Sequence, residues 1–113
     1  MNQRYLCSEL IALTFSDGRG QTANLEEIGE NSALVLTEQP VRRGAKLNIN
    51  CGSHTLKGTA EACRLDQLLG YFVEIRLDPA SLWSPQWFAP EHLLVLGQNA
   101  ATRAFPLPMA SGY

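Results

Sequence analysis

The stretch Leu47 to Leu77, "LNINCGSHTLKGTAEACRLDQLLGYFVEIRL", decides the fold class. Leu47, Ile49 and Cys51 alternate with Lys46, Asn48 and Asn50, a period of two that marks a half-buried antiparallel strand. "CGSHT" supplies the next turn. In the following strand Leu56, Gly58, Ala60 and Ala62 fall on one face, small residues that let a neighbouring layer approach. After "QLLG" a third strand points Tyr71, Val73, Ile75 and Leu77 inward and Glu74 and Arg76 outward. Asp78-Pro79 ends it.

The same alternation continues upstream. Ile11, Leu13 and Phe15 precede the turn cluster "SDGRG", where Asp-Gly tolerates the positive φ of a hairpin turn, and the partner strand is expected over about Gln21 to Leu25. The polar run "NLEEIGENS" reads as a loop before the apolar run Ala33 to Leu36. A second loop follows, in which Pro40 and Gly44 flank the pair Arg42-Arg43. Six short strands at regular spacing predict an antiparallel barrel or sandwich with hairpin connections.

Downstream, prolines at 85 and 90 exclude one long helix, because each removes a donor and restricts the residue before it. The pattern predicts a short helix from about Pro90 to Leu96, stopped by Gly97, with Trp83, Trp87 and Phe88 packed over one mouth of the barrel. A domain over 1–97 with its C-terminal lid and a flexible tail over 98–113 complete the expected organisation.

Composition narrows the function classes. With 45% hydrophobic and 18% charged residues, the 113-residue chain has the makings of one globular core. A net charge of -2 gives no broad positive field to displace counterions from a nucleic-acid backbone. No apolar window reaches the roughly 18 residues needed to span a bilayer, so a cytoplasmic protein with no membrane insertion is expected. Cys7, Cys51 and Cys63 are an odd, widely spaced set, which reads as reduced, buried thiols.

Catalysis needs converging groups, and few converge. Cys51 and His54 share a turn without a second pair of ligands at zinc spacing. Glu91 and His92 lack a second histidine four residues on. The acids Glu26, Glu27 and Glu30 read as a solvated run. A non-enzymatic protein without cofactor or metal is expected.

The order of segments resembles the PilZ domain over about Arg4 to Leu96, a family whose ligand is the bacterial second messenger cyclic di-GMP. Ligand-binding members carry Arg-x-x-x-Arg and then (Asp/Asn)-x-Ser-x-x-Gly. Here "RYLCS" keeps Arg4 but has Ser8 four residues on, and "NLEEIG" keeps Asn24 and Gly29 but has Glu26 at the serine position. Glu30, Asn31 and Ser32 then intervene before "ALVL". "PVRRGAKLNINC" is similar to the family's proline-to-glycine loop, and "LLGYFVEIRL" to its glycine-aromatic strand, with Ile75 and Leu77 in place of phenylalanine.

The resemblance implies a six-stranded PilZ-like barrel with two open readings. In one, the chain is a non-catalytic signalling or interaction module with weak or lost cyclic di-GMP binding, partnered by a bacterial signalling protein or by itself. In the other it is a working cyclic di-GMP effector using Arg4, Asn24 and Gly29, aided by Arg19 or by Arg42 and Arg43.

Overall fold

A computed structural model describes residues 4–87, 89–92 and 94–95. The chain forms β1 (Arg4–Phe15), β2 (Gly20–Gly29), β3 (Ser32–Thr37), β4 (Lys46–Cys51), β5 (His54–Asp66), β6 (Gly70–Leu77) and β7 (Leu94–Val95), with a single 3-10 turn at Pro79–Ser81. The sheet order is β2-β3-β6-β5-β4-β1, and β1 also pairs with β2. Six antiparallel strands therefore close into a barrel with every strand paired on both sides, the first of the two architectures that the strand spacing allowed.

The interior is built from the alternating apolar residues. Leu13, Leu25, Ile28, Val35, Ile49, Val73 and Ile75 are all fully buried. Around the "SDGRG" turn, the Phe15 amide donates to the Arg19 carbonyl at 2.8 Å and the Gly18 amide to the Phe15 carbonyl at 2.9 Å. Gly18 takes a φ of 94° there, a conformation that costs glycine nothing.

Two irregularities shift faces. In β5 the register slips between Ala60 and Ala62, so Ala62 turns outward and Cys63 packs against the core instead. A strict alternation could not foresee a bulge, which inserts one residue into one strand and reverses the face of those beyond it. The second correction concerns "NLEEIG". It is not a loop but the second half of β2, whose bulge between Leu25 and Glu27 absorbs the polar run, and the turn is only Glu30-Asn31. Those intervening residues hold the C-terminal segment: the Glu30 carbonyl accepts the Trp83 amide at 2.8 Å, and the Asn31 carbonyl accepts the Leu77 amide at 2.9 Å.

Trp83 seals this end of the barrel as expected, 2% exposed and edge-on to Tyr5 at 5.4 Å between centroids. Trp87 does not join it in the core. It is 46% exposed, with its ring edge-on to His54 at 5.1 Å. Phe88 lies outside the described residues. The expected helix over Pro90 to Leu96 is absent from its described part: Glu91 and His92 form a turn, His92 has a φ of 58°, and Leu94–Val95 pair with Leu6 and Tyr5. A left-handed residue cannot continue a helix, and the unpaired edge of β1 beyond β4 offers backbone partners instead. Leu93, Leu96 and the boundary at 97/98 lie outside the described residues. Among the described residues, no helix is long and apolar enough to cross a membrane.

Gly58 on β5 lies directly against Ile75 and Arg76 of β6. A Cβ there would stand 2.6 Å from the Arg76 carbonyl oxygen and 2.7 Å from the Ile75 Cγ2. Because backbone cannot move aside as a side-chain tip can, Gly58→Ala is expected to destabilise the barrel by roughly 2–3 kcal/mol in a urea unfolding curve.

Candidate functional site

The sequence-predicted site residues fall into two groups. Arg4, Asn24, Glu26 and Gly29 all lie on the β1–β2 ribbon, but spread along it: Arg4 pairs with Gly29 near one end, and Asn24 pairs with Leu10, six β1 positions further on. A bulge in β1 between Leu6 and Glu9 brings Ser8 to Asn24, hydroxyl to Oδ1 at 3.4 Å. The residue standing at the second arginine position thus does face the asparagine. Asn24 Nδ2 in turn donates to Glu26 Oε2 at 2.6 Å, so Glu26 occupies that amide.

Arg4 is engaged from two sides. Its Nη2 donates to Glu27 Oε1 at 2.9 Å and its Nη1 to Glu74 Oε2 at 3.1 Å. All three side chains are roughly one-quarter to one-third exposed. The Arg4 Nε is buried without a hydrogen-bond partner among the described residues. Both arms of the guanidinium fork, the part that recognises phosphate oxygens, are therefore taken by carboxylates from β2 and β6. The cluster carries Glu27 and Glu74 against one arginine, so an approaching phosphate meets net negative charge.

Arg19, Arg42 and Arg43 lie at the other end of the ribbon. β1 rises roughly 3.3 Å per residue, which puts Phe15 and the turn beyond it roughly 35 Å along the strand from Arg4. Arg19 lies in the β1–β2 turn, and its Nε donates to Asp17 Oδ2 at 2.9 Å. The Arg19 amide on Oδ1, joined by that side-chain bond, holds the Asp17 carboxyl below its usual range. Arg42 and Arg43 lie in the β3–β4 connection, and all three arginines line one concavity with Lys46. They are too far from Arg4 to complete a clamp around it.

Sequence reading missed the partners of Arg4. Glu74 was legible only as an outward residue of β6 and Glu27 only as one of an acidic run; what joins them to Arg4 is strand register, which neither pattern encodes. Lys46 was likewise legible as outward, without its place beside the arginines.

Two of the thiols, Cys7 and Cys51, are hydrogen-bond donors inside the fold. Cys7 donates to the Leu25 carbonyl at 3.6 Å, and Cys51 to Glu9 Oε2 at 2.9 Å. Burial first, then nearby carboxylates, push Cys7 up to about 12; burial and the Glu9 carboxylate push Cys51 up to about 12. A thiol so raised is a poor nucleophile at neutral pH. Among the described residues, no three His, Cys, Asp or Glu side chains are grouped to hold a metal ion.

Comparison with protein families, with curated proteins and with solved structures found no match.

Two outcomes follow from these contacts. Alkylation with iodoacetamide at about pH 8 is expected to label Cys63 first and to reach Cys7 and Cys51 only under denaturant, read by peptide mass mapping. Because the fold pushes Cys7 and Cys51 up to about 12 from an ordinary 9.0, their contribution to stability is complete below about pH 9 and is lost as pH rises from there toward 12. Equal labelling of all three in the native protein contradicts this. Arg4→Met is expected to cost only about 1 kcal/mol, given the partial exposure of both ion pairs, and the loss should shrink in high salt.

Proposed function

We propose that this barrel is a non-catalytic, PilZ-like interaction module in which cyclic di-GMP binding is weak or lost. The observation that carries this reading is the engagement of Arg4 by Glu27 and Glu74. The arginine that the resemblance assigns to the ligand already has two anionic partners, and freeing it forfeits both ion pairs, worth about 1 kcal/mol at this partial exposure, before the ligand gains anything. Glu26 adds a fixed charge where a hydroxyl donor is wanted. The effector reading requires Arg19 or the Arg42-Arg43 pair to replace the missing arginine, and these stand at the far end of the barrel.

The interaction side of the reading rests on the outer surface. Leu10, Leu65, Leu68 and Leu69 are between 59% and 94% exposed. Leu10 and Leu69 share with Leu36 a groove of about 420 Å³. Exposed leucines that share a groove, as Leu10 and Leu69 do, mark contact surfaces more often than single ones do. Phe72 beside them is covered by Arg64, whose guanidinium carbon lies 5.7 Å from the ring centroid.

Calorimetric titration with cyclic di-GMP is expected to show no saturable binding at tens of micromolar, whereas Ser8→Arg combined with Glu26→Ser and Glu27→Gln should bring measurable binding back. Tight binding by the wild-type chain sinks the proposal; failure of a folded triple variant to gain any affinity removes the PilZ-like reading of this ribbon. Sedimentation velocity of the wild type against Leu68→Glu then tells self-association from a partner of another kind.

A further inference from the structure

The concavity at the opposite end of the barrel is a different place with a different charge. Its volume is about 840 Å³, within the roughly 300–1,000 Å³ span of small-molecule sites. Four cations line it, Arg19, Arg42, Arg43 and Lys46, against the single carboxylate of Asp17. Asp17 is held by Arg19, so its charge is satisfied within the turn. Among the described residues, Arg42, Arg43 and Lys46 have no ion-pair partner. In a chain whose net charge is -2, three unneutralised cations around one hollow are a local reversal of the overall field.

The arginines are presented by an anchored loop. The Gly44 amide donates to the Ala60 carbonyl at 2.7 Å, the Ala60 amide to the Ala45 carbonyl at 2.9 Å, and the Ala45 amide to the Arg42 carbonyl at 3.0 Å. Val41 is buried in the core at 5% exposure, pinning the loop between Pro40 and the arginine pair. On the facing side, the Gln21 side chain donates to the Gln39 carbonyl at 3.3 Å and accepts the Gln39 amide at 3.2 Å. Backbone held this way keeps the two guanidinium groups near the hollow and lowers the ordering cost of binding. Phe15 and Pro40 supply apolar wall beside the charges.

We infer that this hollow binds a small phosphorylated molecule, one carrying two or more phosphate charges and a ring of nucleoside size. Arginine forks match phosphate oxygens two at a time. The hollow is too large for one inorganic ion, and its basic residues are confined to one cup, whereas a nucleic-acid strand wants an extended basic track. The site is separate from the Arg4 cluster, and the inference stands independently of how that cluster behaves.

The test is a titration of the ¹⁵N-labelled full chain with inorganic pyrophosphate and with ADP, each at matched ionic strength. Saturable amide shifts confined to the β1–β2 turn and to residues 41–46, with ADP binding more tightly than pyrophosphate, are expected. Arg42→Ala with Arg43→Ala should weaken both by at least roughly tenfold, since each removes a charge-assisted contact. Arg64→Ala, which removes one cation elsewhere, should leave both unchanged. Shifts that do not saturate, that spread over the whole surface, or that survive the double variant overturn the inference. So does tighter binding of a glutamate-rich peptide than of ADP, which would assign the hollow to an acidic protein partner.

Discussion

Everything in this molecule depends on β1 being paired along both of its edges. Over Arg4–Gly29 to Thr14–Gly20 it forms a ladder with β2, and from Ala12 to Phe15 it also pairs with β4. That second ladder, only four residues long, is what turns an open sheet into a closed barrel. Closure removes the exposed edges that an open sheet of this length would present to other chains. Where β4 runs out, β7 covers the remaining edge at Tyr5 and Leu6. The bulge at Leu6 to Glu9 is the geometric concession that lets one long strand serve both neighbours, since a bulge sharpens local twist and bends the strand.

The ribbon so formed separates two electrostatic environments. At its N-terminal end an arginine is compensated by carboxylates from two other strands. Beyond its C-terminal turn several cations gather around a hollow with one carboxylate that already has a partner. The separation is a product of topology: the β3–β4 connection has to cross the barrel end to reach a non-adjacent strand, and in crossing it sets Arg42 and Arg43 opposite the β1–β2 turn. The acidic cluster, by contrast, arises from outward positions that are neighbours only because β2, β3 and β6 pair in a particular register.

Much of the fold was legible because period-two alternation is local. Leu47, Ile49 and Cys51, or Val73, Ile75 and Leu77, announce their faces without reference to any other segment. The errors sit where one residue breaks the count. "NLEEIG" looks like a loop because two adjacent glutamates and an asparagine spoil the alternation, yet the β2 bulge carries them on the outside of a strand. Ala62 follows three residues on the correct face and is turned over by the same device. At the C-terminal end, proline and glycine placement suited a helix, but the pairing edge left free on β1 is a tertiary fact with no trace in the residues Pro90 to Val95. The candidate site was legible in its members and not in its connections. Arg4 and Asn24 could be picked out singly; that Arg4 belongs to Glu27 and Glu74, and that Arg19 joins Arg42, follows only from strand order.

The position of the tryptophans has an optical consequence. Both of them, Trp83 buried against Tyr5 and Trp87 beside His54, belong to the sealed end, where the Glu30 carbonyl holds the Trp83 backbone. Emission from this protein is therefore a reporter of that end alone. Detaching the C-terminal segment would move Trp83 into water and shift its spectrum to the red, while events in the arginine-lined hollow would pass unseen. The barrel has one luminous end and one dark one, and the dark end is the one that carries the positive charge.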